Sequence, residues 1–505
     1  MKPLIETGRR VLAGLVLAAG LTLVAPGVAL ADWARATSPH FEVYGEGPHD
    51  RLKAYVERLE VYDALLRSYH AVDPNQPAPP RLKIYLVHGT PLLHVVVPTL
   101  GAQVSGFYHA GPNDTYAMAI ANPESEYVLR HEYAHHFMMQ TFPAAYPAWL
   151  VEGYAEYFST AEVTTDRVRY GVPGIRGANL ADLQWVPFDR LLTVRPFELG
   201  TFREQAAYYA EAWIITHYFM SDAGRRSQLD AYLRQIGQGV EPVQAMETAT
   251  GMSVARLQQT VLAYSRGSVP VYTVPAASFG RPEVTVEDLS PGEDALLLED
   301  QRVTDGVSRA DAAGELDRVR RLAAPFPDDP FARRALARAE TTLGDLAVGQ
   351  TLLNGLLAAT PADAEVLRLL AANRVKAAKA DDADRAALLH EARGYLVRAL
   401  DAAPDDYRTL YAIGRLRRTA ADFPTNNDIR VLHSALVLAP QVGQIRLDTA
   451  AAYLARGGGT IAADLLQPLA NSPHEGAEVE RARAMLAAIR AGSPVPEETP
   501  ADDGE

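Results

Sequence analysis

From Pro291 onward a single residue type returns on a near-constant beat. Pro291, Pro327, Pro361, Pro404, Pro440 and Pro473 stand at intervals of 36, 34, 43, 36 and 33 residues. Proline lacks an amide hydrogen and clashes with the preceding turn, so it closes a helix. A period near 34 with a proline ending each unit predicts a solenoid of helix pairs over residues 291–491. Each pair in such an array buries its apolar face against its neighbours along the chain. The unit from Asp329 to Pro361 carries the pattern most plainly. Ala335 and Ala337 lie in one helix, Leu343-Gly344-Asp345 makes the turn, and Leu352, Leu353, Leu356 and Leu357 line the next. The 43-residue interval predicts an insertion around Ala377 to Arg385.

The remaining chain reads differently. His40 to Tyr44 alternates like a strand, and Leu82 to Val87 and Thr115 to Ile120 read as buried strands bounded by Pro and Asn. Arg51 to Tyr69 repeats apolar residues at helical spacing, and Ser125 to Gly267 reads as mainly helical. We therefore expect an α+β unit over residues 32–267, a connector at 268–290 with room for one short strand, the array at 291–491 and a disordered acidic tail at 492–505. Residues 1–31 have the form of a cleavable signal peptide. Lys2, Arg9 and Arg10 precede an apolar run too short to span a bilayer, and Ala29-Leu30-Ala31 follows. That predicts a periplasmic or secreted protein with no integral membrane span after cleavage. The chain has no cysteine, which excludes disulfides, thiolate metal sites and a thiol nucleophile. Its 62 acidic against 48 basic residues, a formal charge of −14, argue against nucleic acid as a partner.

The densest chemistry sits at His131-Glu132-Tyr133-Ala134-His135. On a helix, positions i and i+4 share a face, so two imidazoles can grip one ion. Neutral imidazole suits Zn²⁺, and Glu132 flanks that face as a candidate general base. His136 points about 100° away from His135 and reads as a partly exposed neighbour. After a connection holding Pro143 and Pro147 comes Trp149-Leu150-Val151-Glu152-Gly153-Tyr154-Ala155-Glu156-Tyr157. Glu152, 17 residues beyond His135, is the candidate third ligand. Glu156, one helical turn later, is a candidate acceptor for the second ring N–H of His131.

The pairing of HEYAHHF with WLVEGYAEYF resembles the gluzincin metallopeptidases, specifically the MA-like peptidase family often fused to tetratricopeptide repeats. The opening strand and long helix, and the later Tyr208-Tyr209-Ala210-Glu211-Ala212-Trp213 stretch, are similar to that family as well. The resemblance spans roughly residues 33–265 and implies an α+β zincin-like catalytic domain, followed here by an all-α tetratricopeptide-repeat solenoid. It also implies a zinc ion held by His131, His135 and Glu152, with Glu132 as general base. No GxMEN-type segment, used by aminopeptidases to hold a free amino terminus, stands upstream. An endopeptidase is the expectation.

Peptide hydrolysis also needs a donor for the oxygen that gains charge. Tyr209 is the first candidate, with Tyr208 and His217 behind it, and Thr115 to Ile120 could pair with an extended substrate or simply be a core strand. His88, His94 and His109 read as surface or hydrogen-bonded histidines, and His390, His433 and His474 as surface residues of the repeat region. Gly457-Gly458-Gly459 reads as a turn, since no Lys-Ser/Thr pair follows it. The expected function is hydrolysis of a peptide or protein substrate, with a protein partner recruited by the helical repeats. The competing expectation is an exported interaction scaffold whose zincin domain is structural or weakly active.

Overall fold

The computed structural model describes residues 33–73, 80–102, 104–174, 180, 183–380 and 384–495. The expected signal peptide and residues 496–505 of the acidic tail lie outside them. Six strands make a mixed sheet: β1 (Trp33–Thr37), β2 (Phe41–Glu46), β3 (Leu82–Val87), β4 (Gly106–Ala110), β5 (Thr115–Ile120) and, from much later in the chain, β9 (Thr285–Asp288). Their order is β4-β5-β3-β2-β1-β9. The two central pairings, β2 with β3 and β3 with β5, are parallel, and the outer ones are antiparallel. A parallel strand in mid-sheet is covered on both faces, which explains why β3 is apolar at every position but Lys83. Leu82, Ile84 and Leu86 enter the main core, while Tyr85 and Val87 meet Leu297 and Leu298 of the helical array on the opposite face.

On the first face lies α1 (His49–Tyr69), which buries Leu52, Val56, Leu59, Tyr62, Leu65 and Leu66. After the short α2 (Thr90–Val96) come α3 (Pro123–Thr141) and α4 (Ala148–Ser159), which carry the two sequence motifs. Pro143 and Pro147 stand in the link between them, and Pro147 is the N-cap of α4. The unit is completed by α5 (Phe188–Thr193), α6 (Phe202–Met220), α7 (Ala223–Gly237), α8 (Pro242–Thr250) and α9 (Val254–Ser265). Gly153 lets α6 lie directly on α4. A Cβ built there would stand 2.2 Å from Thr216 Oγ1 and 2.3 Å from the Ala212 carbonyl oxygen.

Two expectations are corrected. Residues 162–170 are not helical: β6 (Glu162–Val163) and β7 (Arg167–Tyr170) form a hairpin whose turn is tied by Thr164 Oγ1 donating to Asp166 and to the Arg167 carbonyl. Residues 268–290 are more than a connector. β8 (Tyr272–Pro275) extends that hairpin and β9 closes the edge of the large sheet beside β1. Partners so distant in sequence leave no periodic trace in a segment this short.

The array follows as α10 (Pro291–Asp305), α11 (Ala312–Ala323), α12 (Pro330–Leu343), α13 (Leu346–Ala359), α14 (Ala364–Ala380) and α15 (Arg385–Ala402). It continues with α16 (Tyr407–Leu416), α17 (Asn426–Leu438), α18 (Gly443–Ala455), α19 (Gly459–Ala470) and α20 (Ala477–Ala491). Each helix packs on the next, as an all-α repeat array requires. Pro327, Pro361, Pro404, Pro440 and Pro473 each follow the second helix of a pair within a few residues, whereas Pro291 opens α10. Of the insertion expected at Ala377 to Arg385, residues 381–383 lie outside the described residues, and the helices on either side are long: α14 and α15 have 17 and 18 residues, against 14 each for α12 and α13. Among the described residues no helix is long and apolar enough to cross a membrane.

Candidate metal centre

His131 and His135 lie one turn apart on α3, and α4 packs against that face. Their Nε2 atoms are 3.1 Å apart. Glu152 Oε2 stands 3.3 Å from Nε2 of His131 and 3.6 Å from Nε2 of His135. Ligand atoms about 2 Å from one zinc ion in a tetrahedron are roughly 3.3 Å from one another. The three atoms therefore match the base of such a site.

The electrostatics suit a cation. Glu152 is fully buried, yet both its carboxylate oxygens lack a hydrogen-bond partner among the described residues, and so do Nδ1 of His131 and His135. Orphaned buried polar atoms carry a large desolvation cost unless something satisfies them. Burial pushes the Glu152 pKa up, but the neighbouring His135 and His131 imidazoles outweigh it and hold the group well below the usual carboxylate range. Burial opposes charge on His131 as well, and there Glu152, Glu156 and Glu132 together hold its pKa up at about 9. An acidic surround with two imidazoles and a carboxylate fits a divalent ion such as Zn²⁺, which His131, His135 and Glu152 would hold.

Around this triad, Glu132 is half-buried on the flank of α3. Glu156 Oε1 lies 3.6 Å from Nδ1 of His131, just beyond hydrogen-bond length, and Tyr127 donates to Oε2 of the same carboxylate. A second triad of His40, Glu60 and Asp63 also brings its ligand atoms together. There, however, Arg67 and the Tyr133 hydroxyl already occupy Asp63 at 2.6 Å each, and the His40 amide binds Glu60 at 2.8 Å. That network is satisfied, and through Tyr133 it fixes the orientation of α3.

The candidate oxygen donors separate. Tyr208 is a core residue whose hydroxyl donates to the Val194 carbonyl at 3.1 Å. His217 is buried against Tyr264 and the Gly171 and Pro270 carbonyls. Both are engaged by backbone carbonyls on the buried sides of α6, and Tyr208 also lies within electrostatic reach of Glu152. Tyr209 is half-buried, with its ring 6.2 Å from that of Tyr208. His136 is not partly exposed but buried, and its Nδ1 meets the Tyr108 hydroxyl at 2.8 Å. Burial lowers its pKa to about 4, so it is neutral at physiological pH. β5 is paired on both sides and cannot add a substrate strand. The strand at that end of the sheet is β4, whose Phe107 and His109 gave no usable alternation in sequence.

His109 is hydrogen-bonded and His474 is exposed, as expected, but each also meets a distant part of the fold. His109 pairs with Asp305 of α10 at 3.0 Å. His474, in the turn between α19 and α20, comes to the triad itself: its Nε2 is 3.8 Å from Glu152 Oε1 and its ring is edge-to-face with His135 at 5.4 Å. No motif or spacing connects His474 with residue 152, and only the folding back of the array joins them.

No family model matches the chain, and no curated protein matches it. Solved structures do. One is a thermophilic TPR protein from Thermus thermophilus, 21% identical, covering 39% of this chain and 99% of that one at a TM-score of 0.33. Another is MamA, 14% identical, covering 32% of this chain and 90% of that one at 0.26. A double mutant of MamA from RS-1 is 18% identical, covering 38% of this chain and 97% of that one at 0.27. The chain is thus similar to these proteins over little more than a third of its length.

Proposed function

We propose that the chain is a zinc-dependent peptidase of the gluzincin type, exported by its leader and acting on a peptide or protein substrate. The observation that carries this reading is the convergence of His131, His135 and the fully buried, unpartnered carboxylate of Glu152 on a single point. A bound zinc ion would supply an acidified water and polarise the scissile carbonyl. Glu132 takes the proton from the attacking water and passes it to the leaving nitrogen, first as base and then as acid. Glu156 orients His131 through its Nδ1 edge, and Tyr209 is the remaining candidate from α6 for the oxygen that gains charge.

The purified full chain should hold about one zinc ion. Glu132→Gln should keep the metal and lose about 10²–10⁴-fold in hydrolysis of an unstructured protein such as casein. Full activity in that variant, or a wild type that binds no zinc, would overturn the reading.

A second reading, an interaction scaffold, has its own observation. Val348, Val397, Val437 and Ile461 are exposed on α13, α15, α17 and α19, the second helix of four successive pairs. Exposed apolar side chains on successive pairs of an array suit a protein partner. Under this reading the wild type and Glu132→Gln give the same absence of metal-dependent hydrolysis.

A further inference from the structure

Glu152 presents its two oxygens to different neighbours. Oε2 faces the two ligand imidazoles, whereas Oε1 is buried, without a hydrogen-bond partner, on the side where the array arrives. The turn that arrives there is anchored on both flanks. Asn471 Nδ2 donates to the Ala145 carbonyl, in the link between α3 and α4, at 3.3 Å. Pro473 is buried, the His474 amide donates to Ser472 Oγ at 3.2 Å, and Arg483 of α20 donates to the Ala470 carbonyl at 2.9 Å. The result is an imidazole 58% exposed whose Nε2 stands 3.8 Å from Oε1, about 1 Å longer than a hydrogen bond.

We infer that His474 is a positioning residue contributed by the helical array, donating from Nε2 to the free oxygen of Glu152 and so fixing the carboxylate that grips the metal. This rests on the metal-binding reading above. A ligating carboxylate is ordinarily held by such a partner, and its loss costs about 10–100-fold in metal affinity. The arrangement makes the array part of the centre. It also couples the two: whatever docking of α19 and α20 contributes to zinc affinity, zinc returns to docking.

The test is a zinc-affinity measurement by chelator competition on the full chain, comparing wild type, His474→Ala, His474→Gln and the remote control His390→Ala. We expect His474→Ala to bind one zinc ion about 10–100-fold more weakly, His474→Gln to recover part of the loss through its amide N–H, and His390→Ala to match wild type. Hydrogen exchange in residues 459–491 should slow on adding zinc to wild type and less so in His474→Ala. Equal affinity in wild type and His474→Ala overturns the inference and leaves the metal centre intact. Abolished binding in His474→Ala overturns it too, since that would make the residue a ligand. A wild type that binds no zinc fails the metal reading itself.

Discussion

The two regions of this molecule store their apolar surface in different ways. The N-terminal unit has one continuous core running from β1 and α1 through α3, α4 and α6 to α9. The array has a chain of small cores, such as Leu353 with Ala337, Val366 and Leu370, or Leu396 with Ala371 and Ala392, each shared by a few consecutive helices. A continuous core makes unfolding cooperative, whereas serial cores add up as nearest-neighbour terms and can open locally. The rigid region holds the candidate metal ligands, and the region able to loosen piecewise brings His474 to them.

The largest effects should come from breaking the continuous core. Phe158→Ala, on α4 at 0% exposure, should cost about 3–5 kcal/mol and lower the melting temperature of the whole N-terminal unit, read by near-ultraviolet circular dichroism. Leu353→Ala, equally buried in the array, should cost about 2–5 kcal/mol yet speed hydrogen exchange chiefly in α12 to α14, leaving α3 and α4 protected. Uniform loss of protection across both regions would erase this distinction.

Gly153→Ala tests the joint between the ligand helix and its support. The added methyl would collide with Thr216 and the Ala212 carbonyl, so α4 and α6 must part, at about 1–3 kcal/mol. Because Glu152 is the neighbouring residue, zinc affinity should fall along with stability. Unchanged affinity would show that the helix can shift without moving the carboxylate.

The last effect is a pH dependence at Glu211 on α6. Burial pushes its pKa up to about 9, against the Val186 amide that donates to Oε1 at 2.6 Å, and Oε2 has no partner among the described residues. Its folded-state pKa lies above the unfolded value near 4.5, so the folded chain binds the extra proton. Stability from this group is full below about pH 4.5 and drains away as pH rises toward about 9. Glu211→Gln should flatten that decline in melting temperature. A wild-type curve as flat as the variant's would show the buried carboxyl to be no liability.

Much of this was legible in the chain. The helix pairs of the array, β3, β5, α1 and the break between α3 and α4 are written in local periodicity and in proline positions, which act within a few residues. The hairpin at 162–170 and the pairing of β9 with β1 were not, since short strands draw their stability from partners that sequence order does not reveal. Among the candidate site residues, His131 and His135 share a face by helical spacing alone. Tyr208 and His217 could not be told from donors, because their side chains are polar at one end and are buried with their hydroxyl or ring nitrogens satisfied by backbone carbonyls.

The amino-acid sequence by itself determined that two imidazoles would stand one turn apart and that a helical array would follow, because both are consequences of a 3.6-residue turn and of where proline can sit. Tertiary structure alone decided that the array would bend back over the sheet, burying Leu297 and Leu298 beneath β3 and setting His474 beside Glu152. Such a meeting depends on the sum of many helix-to-helix packing angles, a quantity no local pattern encodes.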